Sequence, residues 1–450
     1  MFKSTKTPKK RLNLGGSISL NLLQAEKIGQ IERAHLVANR ILRLNAIEKG
    51  IEFIDMGTDY SYPFYHEYEP TQQALQALGN HANEALHYPS SYGLISLRSS
   101  FQNFMSSQFK IELDLHKEIM ITTGASQVFD ALSRSFGGSY VLIPEFTLST
   151  VAIIASGNGA KLVRLPSGES GFFDLIKAES IINNLPEKSI RFMYFNSPCN
   201  PTGKVAGREY LNQLVQFALK HEILILHDMD SWYTTHNSKT DLINILEIPD
   251  AKECSLTVLS LSKEFGLPGL RIGLVAGNDY VINAIRMHNS TFSVMIPEVC
   301  QYAAKAALDN FNAEQQKPEI NEYVSYLIQK SIAGWQSMGW PPEAIDCPEA
   351  GFKYLLSVPP HLQSQGGFTA VELFDYYILS RAYIKLSTIR SFNPESHQYI
   401  RVIIMQNEAL LDEAFRRMKE IGVDYHSMKL PDSLSQEYTT LIQENMSGDF

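Results

Sequence analysis

Cysteine is scarce in this chain. Its 450 residues include four, Cys199, Cys254, Cys300 and Cys347, far apart and with no C-x-x-C pair. That spacing excludes a disulfide framework and a cysteine-rich metal site, and the thiols read as reduced ones in a cytoplasmic protein. Long apolar runs are missing as well. No stretch approaches the roughly 20 residues that a membrane helix needs. Positive charge is in deficit, with 39 Lys+Arg against 48 Asp+Glu, a net charge of -9 and a pI near 5.8. Such a balance gives neither the basic footprint of a nucleic-acid binder nor a field for an anionic membrane surface. The histidines show no metal-ligand spacing, and His81 and His87 read as solvated or satisfied imidazoles, so no metal is expected. Met1 to Arg11 is basic but lacks the apolar core of a signal peptide, and residues 1–30 are expected to form a flexible arm.

What is present is the material of an ordinary globular protein, with 44% hydrophobic and 19% charged residues. The length predicts two domains. Ile28, Ile31, Ala34, Val37, Ile41 and Leu44 recur at helical spacing, Gly50 would stop that helix, and Ile51 to Gly57 alternates like a strand. After Pro70 helix and strand patterns alternate, which predicts an α/β protein with a mostly parallel sheet covered on both faces. The candidate strands are Glu118–Thr122, Tyr140–Ile143, Lys161–Arg164, Arg191–Phe195, Ile223–Leu226, Leu256–Leu259 and Gly273–Ala276. The expected organisation is a helix and strand over 31–70 that join a small domain, a large domain over 71–311, the C-terminal small domain over 312–426 and a polar tail over 427–450.

The most informative residue is Lys263. It lies among hydroxyl residues in Ser260-Leu261-Ser262-Lys263, after an apolar strand and eight positions before Arg271. An amine that attacks an aldehyde needs a depressed pKa, which a neighbouring cation or a dry pocket supplies. Ser260, Ser262 and Arg271 are suited to grip a phosphate nearby. Two more segments precede it in order. Asn200-Pro201-Thr202-Gly203 is a turn sequence, and Ile223 to Asp228 reads as a buried strand ending in a carboxylate. Asp228 follows Asn200 by 28 positions (228 minus 200) and precedes Lys263 by 35 (263 minus 228). Arg390 and Arg401 stand near the C-terminal end.

In this ordered set the chain resembles the class I/II aminotransferases, fold-type-I pyridoxal-phosphate enzymes of the aspartate aminotransferase superfamily, over roughly residues 30 to 425. The resemblance implies a large domain with a mostly parallel seven-stranded sheet, a smaller α/β domain built from both chain ends, and a homodimer with shared active sites. It implies pyridoxal 5'-phosphate as cofactor, held as an imine on Lys263. The reaction would carry an amino group from an amino acid to a 2-oxo acid through pyridoxamine phosphate, with Lys263 moving the Cα proton.

The implied cofactor contacts are these. Asp228 faces the ring nitrogen and keeps it protonated; Asp230 competes, because Asp230-x-x-Tyr233 imitates the family's spacing. Asn200 donates to the phenolic oxygen. Gly124, Ala125 and Ser126 open a helix toward the phosphate, completed by Ser260, Ser262 and Arg271, with Tyr88 reaching across the dimer. Phe146 stacks on the ring. Counted from Asp228, the family's phenolic donor is replaced by Ser231, so Ser231 or Tyr233 would serve. Arg401, rather than Arg390, would clamp the substrate α-carboxylate with backbone help from Gly57. The Ser231 departure leaves open a lyase, decarboxylase, cyclase or oxygen-using deaminase on the same fold. A non-catalytic binding module is a further alternative. Aromatic residues near 60–68, 231–236 and 290–297 hint at an apolar or aromatic substrate.

Overall fold

The structure is a computed structural model and describes residues 35–58, 68–168, 171–229, 231–232, 234–237, 240–292, 296–389 and 398–446. Strands are numbered in chain order. The first, β1 (Ile54–Asp55), follows a helix over residues 35–48. Seven strands then build the main sheet: β2 (Ile119–Thr122), β3 (Tyr140–Pro144), β4 (Lys161–Leu165), β5 (Ile190–Asn196), β6 (Leu224–Met229), β7 (Ser255–Ser260) and β8 (Gly273–Gly277). Their order is β2-β8-β7-β6-β5-β3-β4. All seven expected strands are present, each within three residues of its predicted bounds.

The strands are rich in Ile, Leu, Val and Phe because helices cover both faces, leaving no polar side to alternate with. Leu256, Val258, Ile225, Leu226 and Val275 are fully or almost fully buried. One strand departs from the parallel rule. β8 runs antiparallel to both β7 and β2. A parallel return would need a full crossover across the sheet. Only residues 261–272 separate β7 from β8, and they turn back at the strand end. This reversal lifts Lys263 and Arg271 over the carboxyl ends of the strands, where open α/β sheets bind ligands.

The smaller unit contains β9 (Ile345–Asp346), β10 (Lys353–Ser357), β11 (Ile384–Lys385), β12 (Ser387–Thr388) and β13 (Tyr399–Ile403). Four of these form an antiparallel sheet ordered β12-β13-β10-β9. The other, β11, pairs in parallel with β1, so the beginning of the described chain is stitched to its last third. Ala38 and Leu42 of the helix over 35–48 share a buried cluster with Leu373, Tyr376 and Leu379.

The segment expected as a polar tail differs from that expectation. It contains the helix Leu434–Met446, whose Leu434 and Tyr438 are buried in the same cluster. Tyr438 stacks on Tyr376 at 4.2 Å and on Phe368 at 4.5 Å. Two apolar residues at i, i+4 suffice to dock an otherwise polar helix by one stripe. Among the described residues, no helix is long and apolar enough to cross a membrane, and no group of three or more His, Cys, Asp or Glu is placed to hold a metal.

Candidate active site

The carboxyl ends of β5, β6 and β7 lie side by side, with Asn196 opposite Asp228 and Asp228 opposite Val258. Side chains two apart on a strand share a face, so Tyr194 and Asn196 both serve the neighbouring Asp228. The Tyr194 hydroxyl donates to Asp228 Oδ2 at 3.0 Å, and Asn196 Nδ2 donates to the Asp228 carbonyl at 2.8 Å. Asn196 Oδ1 also accepts from the Asn200 N–H at 2.6 Å, which ties the Asn-Pro-Thr-Gly turn to the sheet. Gly203 ends that turn at φ 70, and a Cβ there would lie 2.4 Å from Pro348 Cβ. Only glycine allows the smaller unit to sit this close.

Lys263 belongs to the single turn Leu261–Glu264, started by Ser260, whose Oγ accepts from the Ser262 N–H at 3.1 Å. The following residue, Glu264, is buried and accepts from Thr234 Oγ at 2.8 Å. Behind this turn Trp232 donates from its indole to the Ser260 carbonyl at 3.2 Å and packs among Phe104, Phe265 and Phe311. Trp232 is therefore core and not part of a substrate wall. The same is true of Tyr68, buried against Phe265.

Lys263 lines a cavity of about 500 Å³ between the sheet end and the smaller unit. Gly57, Gly124, Ala125, Ser126, Asn200, Asp228, Ser260, Ser262, Arg271 and Arg401 line it too, so the structure gathers most of the expected residues in one place. Gly124 begins the helix Gly124–Ser135 at φ 68, and a Cβ on it would come within 2.8 Å of Arg271 Nη2. On Gly273 a Cβ would meet Thr122 Oγ at 2.6 Å and the Gly124 carbonyl carbon at 2.8 Å. Two glycines thus let a helix N-terminus and a guanidinium approach each other, the arrangement that an anion needs. Asp228, Lys263 and this cradle face one cavity. The donor set fits pyridoxal phosphate: anion donors at one end, a carboxylate for a basic ring nitrogen, and an amine for an aldehyde.

Arg401 lies on β13 opposite Ser387 of β12 and is 7% exposed. Its Nη1 donates to Asn200 Oδ1 at 2.9 Å; Nη2 donates to the Gly57 carbonyl at 3.2 Å and to Ser387 Oγ at 3.3 Å. The fork is oriented from three sides. Because Asn200 Oδ1 accepts from Arg401, its amide NH2 remains the donor end. Gly57 is squeezed against the smaller unit, since a Cβ would lie 2.2 Å from the Leu386 carbonyl oxygen.

Three expected cofactor contacts lie outside the cavity wall. Ser231 is buried with its hydroxyl against Gly351, where a Cβ would be 3.2 Å away. The chain bends after β6, so counting onward from Asp228 does not carry the residue toward the cavity. Phe146 packs against Leu355 and Ile389, while Leu148 and Val151 supply apolar wall. Tyr88 is 95% exposed. Asp230, Tyr233 and Arg390, and the aromatic positions Tyr60, Tyr62, Phe64 and Tyr65, lie outside the described residues.

Sequence reading missed Tyr194, Asn196 and Lys385, all lining the cavity. Lys385 had a signal. In Ile384-Lys385-Leu386-Ser387 the apolar residues are buried and the polar ones alternate with them toward the cavity. Beside Asp228, His227 is wholly buried, and desolvation holds its pKa down to about 4 despite the Ser197 carbonyl at 3.1 Å. Burial likewise raises the Cys199 thiol.

Comparison with known proteins agrees with this geometry. The family described as "Aminotransferase class I and II" matches residues 58–418. LL-diaminopimelate aminotransferase 2 of Trichormus variabilis is 26% identical over 390 residues, 84% of this chain and 93% of that protein. Aspartate aminotransferase of Pyrococcus abyssi is 27% identical over 363 residues, 78% and 90% of the two chains. Among solved structures, substrate-bound BacF from Bacillus subtilis superposes with a TM-score of 0.75 at 19% identity, covering 86% of this chain and 94% of that one, a likeness of fold. The family match, spanning most of the chain and every one of the converging residues from Gly124 to Arg401, shows that this protein belongs to the class I and II aminotransferases, pyridoxal-phosphate-dependent enzymes that move an amino group between an amino acid and a 2-oxo acid.

Proposed function

We propose that the 500 Å³ cavity is where cofactor and amino acid meet, with Lys263 as the covalent anchor and proton carrier. The observation that supports this reading is the convergence of Lys263, Asp228, Asn200, Arg271 and Arg401, from five separate segments, on one cavity. When bound, pyridoxal phosphate supplies the aldehyde carbon and the electron sink for the α-carbon. The residues do the rest. The N-terminus of the helix Gly124–Ser135, the Ser126, Ser260 and Ser262 hydroxyls and Arg271 hold the phosphate. The Asp228 carboxylate holds a proton on the ring nitrogen, because an opposite charge favours the protonated form. Arg401 takes the α-carboxylate with its fork and orients the Cα–H bond toward Lys263. Lys263 Nζ would serve as the base that takes the Cα proton and as the acid that returns it, on the former aldehyde carbon across the amino nitrogen.

The protein acts as a cytoplasmic homodimer in this reading. Leu75, Leu86, Tyr88 and Ile95 are large apolar side chains left exposed within a short stretch, which suits a face covered by a second copy. Tyr88 from that copy is the candidate that completes the phosphate cup. Phe146 remains the candidate ring partner, which would require it to leave its contacts with Leu355 and Ile389. Two relatives are named for aspartate and LL-diaminopimelate, both amino acids that carry a second carboxylate.

The test is a spectroscopic screen. Protein incubated with pyridoxal phosphate should absorb in the visible range, and borohydride should fix the adduct on Lys263. Single amino acids should bleach the band in stoichiometric half-reactions that a 2-oxo acid reverses. Protein that binds no cofactor, or carries the reduced adduct on another lysine, would overturn the reading.

A further inference from the structure

Among the described residues lining the cavity, the side chains with a full positive charge are Lys263, Arg271, Lys385 and Arg401, and the carboxylate is Asp228. The proposed function, on which this inference rests, assigns all but one. Arg271 faces the phosphate, Lys263 the aldehyde, Asp228 the ring nitrogen and Arg401 the α-carboxylate. Lys385, ion-paired with Asp55, has no assigned cofactor or substrate group. We propose that Lys385 is the second anion receptor of the substrate site, selecting amino acids and 2-oxo acids that carry a carboxylate on the side chain.

The geometry supports the assignment in three ways. First, Lys385 and Arg401 converge. Arg401 Nη2 reaches the Gly57 carbonyl, while Lys385 Nζ reaches Thr58 Oγ and stands 3.4 Å from Asp55 Oδ2. Both cationic heads therefore meet the same turn, at adjacent residues. A dicarboxylate held at one end by Arg401 would meet Lys385 by turning its other end toward this turn.

Second, the ammonium has capacity to spare. It carries three N–H donors, and the described partners are Asp55 and Thr58. Asp55 is its ion-pair partner, through Oδ2 at 3.4 Å. Its Oδ1 accepts from the Gly57 N–H at 3.0 Å and the Thr58 N–H at 2.8 Å. Two backbone amides hold that carboxylate in place, and the ammonium keeps one N–H donor beyond its described partners Asp55 and Thr58. Asp55 fixes the position of the ammonium as its ion-pair partner.

Third, the surroundings favour an anion. Lys385 also lines a second groove, of about 280 Å³, in which Arg40 and Arg43 accompany it and Asp55 is the acid. The described wall near Lys385 contributes Thr58, Ser387 and Thr388, all hydroxyl residues suited to a carboxylate and not to an aromatic side chain.

Lys385 acts through binding alone, so its test is one of selectivity. Calorimetry on the cofactor-loaded protein compares succinate, which cannot react, with its monoamide. The same contrast is read as the kcat/KM ratio of aspartate to asparagine and of glutamate to glutamine. Wild type should favour the acid at least about tenfold in both, as expected for one hydrogen bond to a charged group. Lys385→Gln should bring the ratios toward unity, and Lys385→Arg should keep the preference. Equal binding of succinate and its monoamide by wild type would overturn the proposal without any variant being needed. So would a Lys385→Gln protein that loses acid and amide alike, because that marks Lys385 as a tie for the Asp55 turn. Failure of the broader functional reading looks different: no amino acid bleaches the cofactor band, yet the succinate preference is still measurable.

Discussion

Tyr194 and Asp228 are joined side chain to side chain, the phenol on β5 donating at 3.0 Å to the carboxylate on β6. This bond pins one oxygen of the group assigned to the ring nitrogen and withdraws some of its charge. Tyr194→Phe removes one hydrogen bond to a carboxylate but leaves the charge, so only part of the roughly 1.5–3 kcal/mol of such a bond is lost from the transition state. It should lower kcat by roughly 2- to 10-fold and shift the pH at which the bound cofactor's absorbance titrates, since Asp228 becomes more basic. Asp228→Asn removes the charge itself and should cost on the order of 100-fold or more, as for breaking a charge-assisted pair. Stopped-flow half-reactions and a pH titration of the two variants check this ordering. Equal losses would place Tyr194 in a different role.

Arg401 is a fork held by Asn200, Gly57 and Ser387. Lysine at this position keeps the charge and loses the two-pronged geometry. Arg401→Lys should lower kcat/KM by roughly 10- to 100-fold, from about 1.5–3 kcal/mol. Cofactor affinity should stay within about twofold, because Arg401 is not among the groups assigned to the phosphate. Steady-state kinetics and a fluorescence titration with pyridoxal phosphate separate the two effects.

Much of this was legible in the sequence, and the parts that were not have physical causes. The seven sheet strands stand out as short apolar runs because both faces are buried. The same burial hid Tyr194, since Phe192-Met193-Tyr194-Phe195 has no alternation to mark one member as polar in purpose. Its role arises from register with β6, which sets Asn196 opposite Asp228. The reversed direction of β8 comes from a connection, residues 261–272, that turns back without crossing the sheet, a property that no strand pattern records. Ser231 was placed by counting, but a bend after β6 decides where it points. Lys385 lies on a strand of two residues, so its one signal is the short alternation through Leu386 and Ser387. The tail helix reads as polar because only Leu434 and Tyr438 are buried on its first turns.

Gly124 provides a test of the cradle. A methyl group there would stand 2.8 Å from Arg271 Nη2, at a backbone φ of 68 that L-residues rarely adopt. Gly124→Ala should cost about 1–2 kcal/mol from backbone strain and push Arg271 away from the anion site. The expected result is a lower melting temperature of the apo protein together with weaker cofactor binding, by at least about tenfold. Melting and titration in parallel distinguish strain from cradle. A variant that melts early yet binds pyridoxal phosphate normally would show that the phosphate is held elsewhere.

His227 makes stability depend on pH through the strand that aims Asp228. The imidazole is fully buried, with Nε2 at 3.1 Å from the Ser197 carbonyl and Nδ1 at 3.3 Å from the Ile245 N–H. A carbonyl accepts and an amide donates, so the neutral ring with its proton on Nε2 satisfies both neighbours. Protonation would set a second N–H against a donor in a dry site, and the folded pKa is accordingly about 4, below the unfolded value of 6.5. Between these values the unfolded chain binds the proton and the folded one does not. Stability contributed by the neutral ring is therefore fully present above pH 6.5 and is lost as pH falls toward about 4. The difference corresponds to roughly 3 kcal/mol. Urea unfolding at pH 7 and pH 5 should show lower stability at pH 5. In His227→Gln, whose amide offers one donor and one acceptor but cannot titrate, the difference between the two pH values should shrink by up to about 2 kcal/mol. An unchanged difference would mean that other buried groups govern the acid limb, His236 foremost, since burial also lowers its pKa.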